Sequence, residues 1–357
     1  MGSFLSPRAS IRFMRFVFSC LAVLILGLVP PVFSAHAATL AKEPALQENF
    51  YGVQILDSRA WVVGYYGTIL HSKDKGLTWE IQQGPTRNSL FQVRFLNGEK
   101  GWISGSYGTV LYTTDSGKNW RAQATGTTEH LFGLTFVNEQ MGWAVGSRGT
   151  ILHTRDGGRS WINSSLSEDL ALSSVAFVNS TRGWIVGEFG VIFQTQNGGK
   201  NWIKQKSPVE VSFVSGESRN LFALLFPEPE NGWAFGLDGV VLKTRGGSPW
   251  EVVRQKEKTS SSPGANHLFA AAAFNGGLWA VGERGTLLHS DADGNDWRQA
   301  RAETPRLSLN GIAFGKDGFG LIVGNRGVIL RTEDGGTTWK RLKIAPQGQG
   351  KGLSRIP

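Results

Sequence analysis

Residues 142–161 read GWAVGSRGTILHTRDGGRSW, and this stretch decides the fold. Two short apolar runs, Trp143–Val145 and Ile151–Leu152, flank a turn that has glycine on both sides. A Thr-x-Asp-x-Gly-x-x-Trp turn follows the second run. Short apolar runs separated by glycine-containing turns are typical of β-strands joined as hairpins, because glycine permits the positive φ values of tight turns.

The same pattern recurs along the chain. The first tryptophan of the stretch has counterparts at Trp61, Trp102, Trp184, Trp233 and Trp279, with Leu321 as the seventh. The last tryptophan has counterparts at Trp79, Trp120, Trp202, Trp250, Trp297 and Trp339, and the successive steps are 41, 41, 41, 48, 47 and 42 residues. A period near 40 residues built from strand-like pieces indicates a β-propeller with one sheet per repeat. The sequence therefore predicts an all-β fold, a seven-bladed β-propeller of four-stranded antiparallel blades.

We expect the propeller to span residues 49–344. The predicted blades are 49–83, 84–124, 125–165, 166–206, 207–254, 255–301 and 302–344, and each offers strands A to D from the axis outward. Small residues are frequent in the predicted A strands, for example Gly133 and Ala270–Ala273. They suit the crowded axis of a propeller.

The N-terminal segment has the features of a Sec-type signal peptide. Three arginines precede an apolar run, Phe16–Phe33, and Ala35-His36-Ala37 fits a cleavage signal. We expect cleavage after Ala37, so that residues 1–37 are the signal peptide and residues 38–48 a leader that pairs in part with the outermost blade edge. A retained membrane anchor is the alternative, although the run is of borderline length and contains two prolines. The predicted location is the periplasm, or the thylakoid lumen in a photosynthetic organism.

Composition excludes several classes of function. The only cysteine, Cys20, lies in the signal segment, so the mature chain would lack disulfides, thiolate metal sites and cysteine nucleophiles. The net charge of +9 comes largely from the signal segment and from a basic tail, residues 345–357 together with the cations just before it. Such a tail is a solvated end more often than a nucleic-acid site. No metal-ligand cluster or nucleotide-binding loop is present, so we expect no metal, no cofactor and no nucleic-acid partner.

The turns between strands C and D repeat an acidic position. Their shared carboxylate or amide accepts backbone N–H groups across the turn, and these predicted structural residues are Asp74, Asp115, Asp156, Asn197 and Asp334. Blade 6 has Ala292 at this position, and the blade 5 turn is one residue short. A carboxylate repeated in most blades is scaffold, since a catalytic carboxylate would occur once.

These turns resemble the Asp-box, or bacterial neuraminidase, repeat. The longer repeat, Gly-Trp-x-x-Gly-x-x-Gly-x-x-x-x-Thr-x-Asp-Gly-Gly-x-x-Trp, is similar to the propellers of the photosystem II stability and assembly factor family, from about Phe50 to Lys343. The resemblance implies a non-enzymatic, secreted propeller that assists assembly or stability of a membrane complex. We expect it to bind a protein partner, a subunit of that complex, and to be a monomer.

Topology predicts where a partner would bind. In an up-and-down blade the B–C turns and the D–A connections share one face, and the A–B and C–D turns share the other. Arginine and tyrosine are enriched at protein–protein hot spots. The candidate partner-binding residues are Arg148, Arg284, Arg326, Tyr66, Tyr107 and Phe189 at the second position of the B–C turns, with Arg219, His267 and Arg306 in the D–A connections. We expect this face to bind an acidic or amphipathic segment.

A sialidase-like propeller that binds or hydrolyses glycans is the alternative function. Such an enzyme needs an arginine cluster, a tyrosine activated by a glutamate, and an acidic general acid. The chain has an Arg-Ile-Pro sequence, but it lies at residues 355–357, after the last blade, and all five tyrosines fall in the first two blades. No catalytic residue is predicted.

Overall fold

The computed structural model describes residues 48–211, 219–255, 266–300 and 305–343, all within the compact unit Leu46–Pro357. The predicted signal peptide, leader residues 38–47 and the tail lie outside the described residues. Within the described ranges, no helix combines the length and the apolar character needed to cross a membrane.

The described residues form 28 strands in seven sheets. The first four blades contain β1 (Phe50–Leu56), β2 (Arg59–Gly64), β3 (Ile69–Ser72) and β4 (Glu80–Gln82); β5 (Leu90–Phe95), β6 (Gly101–Gly105), β7 (Val110–Thr113) and β8 (Arg121–Gln123); β9 (Leu131–Phe136), β10 (Gly142–Gly146), β11 (Ile151–Thr154) and β12 (Ile162–Asn163); β13 (Leu172–Phe177), β14 (Gly183–Gly187), β15 (Ile192–Thr195) and β16 (Ile203–Gln205). The last three contain β17 (Leu221–Glu228), β18 (Asn231–Gly236), β19 (Val241–Arg245) and β20 (Trp250–Arg254); β21 (Leu268–Phe274), β22 (Gly277–Gly282), β23 (Leu287–Ser290) and β24 (Trp297–Gln299); β25 (Leu309–Phe314), β26 (Gly320–Gly324), β27 (Ile329–Thr332) and β28 (Lys340–Arg341).

Each sheet is antiparallel and follows chain order, so the four strands of every blade run A, B, C, D. Single 3₁₀ turns occupy four B–C connections, at Tyr65–Gly67, Glu188–Gly190, Leu237–Gly239 and Glu283–Gly285. The predicted seven-bladed propeller of four-stranded antiparallel blades is therefore confirmed.

The ring closes between blade 7 and blade 1 without a shared sheet. Inner strand β25 packs against β1, as every other inner strand packs against its neighbour. The N–H of Gly327 donates to the carbonyl of Glu48 at 2.7 Å, and the N–H of Arg326 donates to the Asn49 side chain at 3.0 Å. Glu48 thus contacts the B–C turn of the last blade. The leader was expected to pair in part with the outermost blade edge; Glu48 does not do so, and its other residues, 38–47, lie outside the described residues. Glu48 and Asn49 act as the D–A connection that follows blade 7.

A tryptophan from strand B joins each blade to the next in the regular part of the ring. Trp143 is fully buried and stacks on Phe177 of the following blade with 3.5 Å between ring centroids. Its indole N–H donates to the carbonyl of Gly198, in the C–D turn of that blade, at 3.1 Å. Equivalent stacks and hydrogen bonds are made by Trp61, Trp102 and Trp184. Burial of these large rings supplies much of the driving force for joining blades.

Three joints depart from this rule. Between blades 6 and 7, Trp279 is tilted against Phe314 with 5.7 Å between ring centroids and does not stack on it. The other two joints differ in residue type. Trp233 of blade 5 faces a blade that carries Ala273 where most others have phenylalanine, and its indole N–H lacks a partner among the described residues. Leu321 of blade 7 packs with Phe319 and Ile55 in a core that also contains Phe50 and Trp79. The repeat tolerates both changes because each blade contacts only its two neighbours.

Candidate partner-binding rim

The turns lie on two opposite rims. On one rim the C–D turns bond to the A–B turns, as when the N–H of Ser116 donates to the carbonyl of Glu99 at 2.9 Å. On the other rim the B–C turns bond to the D–A connections, as when the N–H of Ser147 donates to the carbonyl of His130 at 2.9 Å. We call these the C–D rim and the B–C rim.

The carboxylates of the C–D rim accept hydrogen bonds from groups of their own turns. Asp156 accepts hydrogen bonds from the Thr154 hydroxyl at 2.8 Å, and from the N–H and hydroxyl of Ser160 at 2.9 and 2.6 Å. The hydrogen bonds from Ser160 hold the pKa of Asp156 at about 2. Asp74, Asp115 and Asp334 make the same contacts. A carboxylate used in this way is a turn stabiliser.

Three blades fill the acidic position differently. Asn197 accepts from the Thr195 hydroxyl and from the N–H of Asn201, both at 3.0 Å, so an amide preserves the geometry. In blade 6 the aspartate one position earlier, Asp291, accepts the N–H of Gly294 at 3.0 Å. In the shortened blade 5 turn the Thr244 hydroxyl has no partner among the described residues.

The histidines of strand C are packing residues. His71 stacks on Trp61 with 4.8 Å between centroids, and His289 lies 4.3 Å from Trp279. Burial lowers the pKa of His71 to about 4, which keeps the ring neutral. Within the described ranges, no group of three His, Cys, Asp or Glu side chains could hold a metal ion.

The B–C rim repeats its backbone in all seven blades. The first residue of each turn donates its N–H to the carbonyl just before strand A of the same blade, at 2.8–2.9 Å. The glycine before it must lack a side chain, because a Cβ at Gly146 would lie 1.7 Å from the carbonyl oxygen of His130. Positive φ was expected of the glycines on both sides of the turn. That is wrong for the first glycine, which is extended wherever its dihedrals are given and is needed for close approach.

The second turn residue takes the left-handed conformation in every blade. Its φ lies between 53° and 58°, although none of the seven is glycine. Four of these residues donate their N–H to a side chain that precedes the next blade. The acceptors are His130 for Tyr107, Asn220 for Phe189, His267 for Asp238 and Asn49 for Arg326. The main chain and these acceptors hold the turn, and its second side chain contributes nothing to that frame.

Five neighbouring blades present cations and tyrosines at this position. Following the ring from blade 6 through blade 7 to blade 3, they are Arg284, Arg326, Tyr66, Tyr107 and Arg148, and we call this set the rim arc. The tyrosines and the arginines of blades 3 and 6 are 53–65% exposed. Arg148 and Arg284 lie 3.9 Å from Glu129 and Glu283, and such exposed pairs are weak. Both guanidinium groups can therefore exchange these partners for a ligand.

Tyr66 is already paired with a D–A arginine. The Arg87 guanidinium lies 5.3 Å from the centre of the Tyr66 ring and donates to its hydroxyl at 2.7 Å. Tyr107 packs against His130 with 5.0 Å between centroids. These contacts hold the two tyrosines in place before any partner binds.

The remaining predicted residues are spread over the same rim. Phe189 of blade 4 is half-buried and lies on the side of the ring opposite the rim arc. Asp238 of blade 5 lies on the same side and carries a negative charge. Arg219 and His267 directly precede blades 5 and 6 and are half-buried, and His267 accepts a turn N–H. Arg306 is exposed. The structure therefore brings together the arginines and tyrosines of the rim arc. His267, whose carbonyl accepts the N–H of Glu283, and Arg306, next to Leu307, lie beside the blade 6 turn at one end of this arc. Phe189 and Arg219 belong to blades 4 and 5, outside it.

Sequence reasoning missed a second group of side chains, on the inner strands. The second residue of strand A is aromatic in five blades: Tyr51, Phe91, Phe132, Phe222 and Phe269. We call these five residues the channel collar. Aligning the seven A strands by their first leucine or phenylalanine would have revealed it.

The chain matches a known protein family over most of its length. The family described as Photosynthesis system II assembly factor YCF48 matches residues 42–126, 114–212 and 206–308. The chain belongs to this family. The resemblance expected from the long repeat is thereby confirmed, and no curated protein matches the chain in sequence.

Solved structures share the fold of this YCF48 family member. YCF48 bound to D1 peptide is 19% identical with a TM-score of 0.62, covering 81% of this chain and 94% of that one. YCF48 from Cyanidioschyzon merolae is 20% identical with a TM-score of 0.62, covering 81% and 96%. An ancestral GH74 enzyme is 16% identical with a TM-score of 0.65, covering 85% of this chain and 48% of that chain. Identities this low show a common propeller fold.

Proposed function

We propose that this protein is a non-enzymatic propeller that binds an acidic or amphipathic segment of a membrane-complex subunit and assists assembly or stability of that complex. The family match along residues 42–308 supports an assembly role. A family member has been solved bound to D1 peptide, which supports a peptide as the ligand. The observation that carries the proposal is the rim arc, because it places exposed arginines and tyrosines on a rigid frame that does not use them.

The arc suits such a segment physically. Arginine binds carboxylates through paired hydrogen bonds, and tyrosine offers a rigid apolar ring with a polar tip. Asp238 lies outside the arc, so an acidic segment would orient toward blades 6, 7 and 1–3. Rim charges act mostly on the association rate, and we therefore expect binding to weaken as salt increases.

Charge reversal tests the proposal. The triple variant Arg148→Glu, Arg284→Glu, Arg326→Glu of the tagged full-length protein is expressed in its own cells and crosslinked in the envelope fraction. We expect it to lose the membrane-protein subunits recovered with wild type. The matched control reverses Lys118, Arg159 and Lys200, three exposed cations at equivalent positions of the C–D turns. Equal recovery from both triple variants would contradict the proposal.

Secretion is part of the same proposal. Residues 1–37 would direct export, and the mature protein would be a monomer in the periplasm or thylakoid lumen. N-terminal sequencing of the protein from that compartment should begin at Ala38. The glycan-hydrolysing alternative rests on fold likeness to GH74 propellers, and a fluorogenic glycoside panel tests it directly.

A further inference from the structure

The inner strands present an unusual edge toward the propeller axis. Each A strand is the edge strand of its sheet, so one row of its N–H and C=O groups is not paired within that sheet. Every A strand also has a β-bulge at its second residue, shown by a register shift after its first residue. Bulges re-aim side chains, and here they fall at the B–C end of the strands.

The bulged residues form the channel collar. Tyr51 lies 5.8 Å from Phe91, and Phe91 lies 5.5 Å from Phe132, measured between ring centroids. Phe222 and Phe269 form a second pair at 5.5 Å across two other blades. All five rings are half-buried. Aromatic groups that stay partly open at the rim of a concave surface are typical of binding sites.

One cation lies deeper along the inner strands. Arg94 is the third residue after Phe91, and it is the single Lys or Arg in the seven A strands. Its neighbours Val93 and Phe95 pack with Trp61, so Arg94 projects from the other side of the strand. The equivalent positions of the other blades are uncharged: Gln54, Thr135, Ala176, Leu225, Ala272 and Ala313.

The environment of Arg94 is unusual for a charged group. Its side chain is exposed to water, yet the protein surrounds it closely enough for burial to lower its pKa. Both properties are expected for a side chain inside a water-filled channel. Its guanidinium has no hydrogen-bond or ion-pair partner in the described part of the chain. A channel cation without a protein partner is available to an anionic ligand, which it can bind through charge-assisted hydrogen bonds.

We propose that the axial channel binds the C-terminal end of an extended apolar protein segment, with the terminal carboxylate on Arg94 and apolar side chains against the channel collar. Arg94 lies three residue steps beyond Phe91 along the strand, a depth of about 10 Å, which matches the last few residues of a peptide. The Gln54 side chain already occupies the N–H and C=O of Phe95, and the inner-edge groups that no side chain occupies offer hydrogen bonds to the peptide backbone. A small inorganic anion would gain nothing from the collar.

This inference rests on the proposed function in taking a partner protein as the source of the ligand. The test needs no membrane complex. A fluorescein-labelled apolar pentapeptide, GLFLA, is titrated into the full-length protein by fluorescence anisotropy, once with a free carboxylate and once as the C-terminal amide. We expect the amide to bind at least about tenfold more weakly, because it loses a charge-assisted hydrogen bond. Equal affinity of the two peptides, or binding of neither, would overturn the proposal.

Variants locate the site. Arg94→Gln should abolish the difference between the two peptides, and Arg94→Lys should restore part of it. Phe91→Ala should lower the affinity for the peptide. It should leave the affinity for inorganic phosphate, which is used as a competitor, unchanged. Phosphate that displaces the peptide from wild type and binds Phe91→Ala equally well is consistent with the proposal, whereas phosphate binding without any peptide binding would mean a small-anion site only.

The C–D rim supplies the control. Arg159→Gln neutralises an exposed cation of the same type and should leave pentapeptide affinity unchanged. If Arg94→Gln has no effect on the pentapeptide but the rim triple variant loses its membrane partner, the channel proposal fails while the proposed function stands. If Arg94→Gln no longer distinguishes the two pentapeptides and the rim triple variant still recovers its membrane partner, the proposed function fails while the channel proposal stands.

Discussion

The two rims of this propeller differ in which part of the turn is repeated from blade to blade. The C–D rim repeats side chains, since Asp156 and its counterparts all accept the same hydroxyl and N–H groups. The B–C rim repeats main chain, since all seven turns share one hydrogen bond and one positive φ while their side chains range from arginine to aspartate. On the B–C rim, the main chain and side chains of the neighbouring connections hold the turns, so the side chains at the second turn position remain available for binding. On the C–D rim the carboxylates of the turns are themselves used to hold them.

The largest expected effect comes from breaking the backbone frame of the B–C rim. Gly146→Ala places a Cβ 1.7 Å from the His130 carbonyl oxygen, and neither main-chain segment can move without losing the shared hydrogen bond. We expect a loss of more than about 4 kcal/mol in the free energy of unfolding, or failure to fold. Urea unfolding followed by tryptophan fluorescence measures it.

Gly126→Ala separates sterics from backbone conformation. Gly126 has a φ of 72°, but a Cβ added there would have no other atom within 4 Å, so alanine should cost only about 1–2 kcal/mol. Similar losses in the two variants would show that the close approach at Gly146 is relieved and does not carry the cost predicted for it.

A smaller effect is expected from the carboxylates of the C–D rim. Asp156→Ala leaves the Thr154 hydroxyl and the Ser160 N–H without their acceptor and should cost about 1–3 kcal/mol. Asp156→Asn should cost less, because Asn197 shows that an amide fits the turn. Urea unfolding at pH 7 measures both variants.

The same rim predicts a pH dependence. The pKa of Asp156 is about 2 in the folded protein and about 3.9 in an unfolded chain. Its contribution is therefore complete above about pH 5 and is lost progressively as pH falls toward 2. Wild type should lose stability between about pH 4.5 and 3.0, and Asp156→Asn should lose less over that interval. An equal acid dependence of both proteins would show that the turn carboxylate does not carry it.

Sequence patterns predicted the fold almost completely, because its signals are local and repeated. The paired tryptophans gave the blade count, and the acidic turns gave their own hydrogen-bond pattern. The role of Gly146 could not be read locally, since the atom it accommodates belongs to residue 130, which lies beside it only after the blade forms. Ring closure through Glu48 and the enclosure of Arg94 are likewise properties of seven blades together. The candidate site was predicted as a list of turn positions, and only the ring order groups five of them into one arc.

The smallest expected effect tests the comparison most directly. Arg148 holds a φ of 53°, which costs a non-glycine residue about 1–2 kcal/mol, while glycine would cost about 0.5–1 kcal/mol in unfolded-chain entropy. Arg148→Gly should therefore stabilise the folded protein slightly, by up to about 1 kcal/mol, and at the same time weaken partner recovery. Tyr107→Gly should behave in the same way, since Tyr107 has a φ of 54°. If either glycine variant is destabilised by more than about 1 kcal/mol, the side chain is part of the turn, and the B–C rim would then resemble the C–D rim. A stabilised Arg148→Gly variant with intact binding would instead exclude Arg148 from the site, because its side chain would then contribute neither to stability nor to binding.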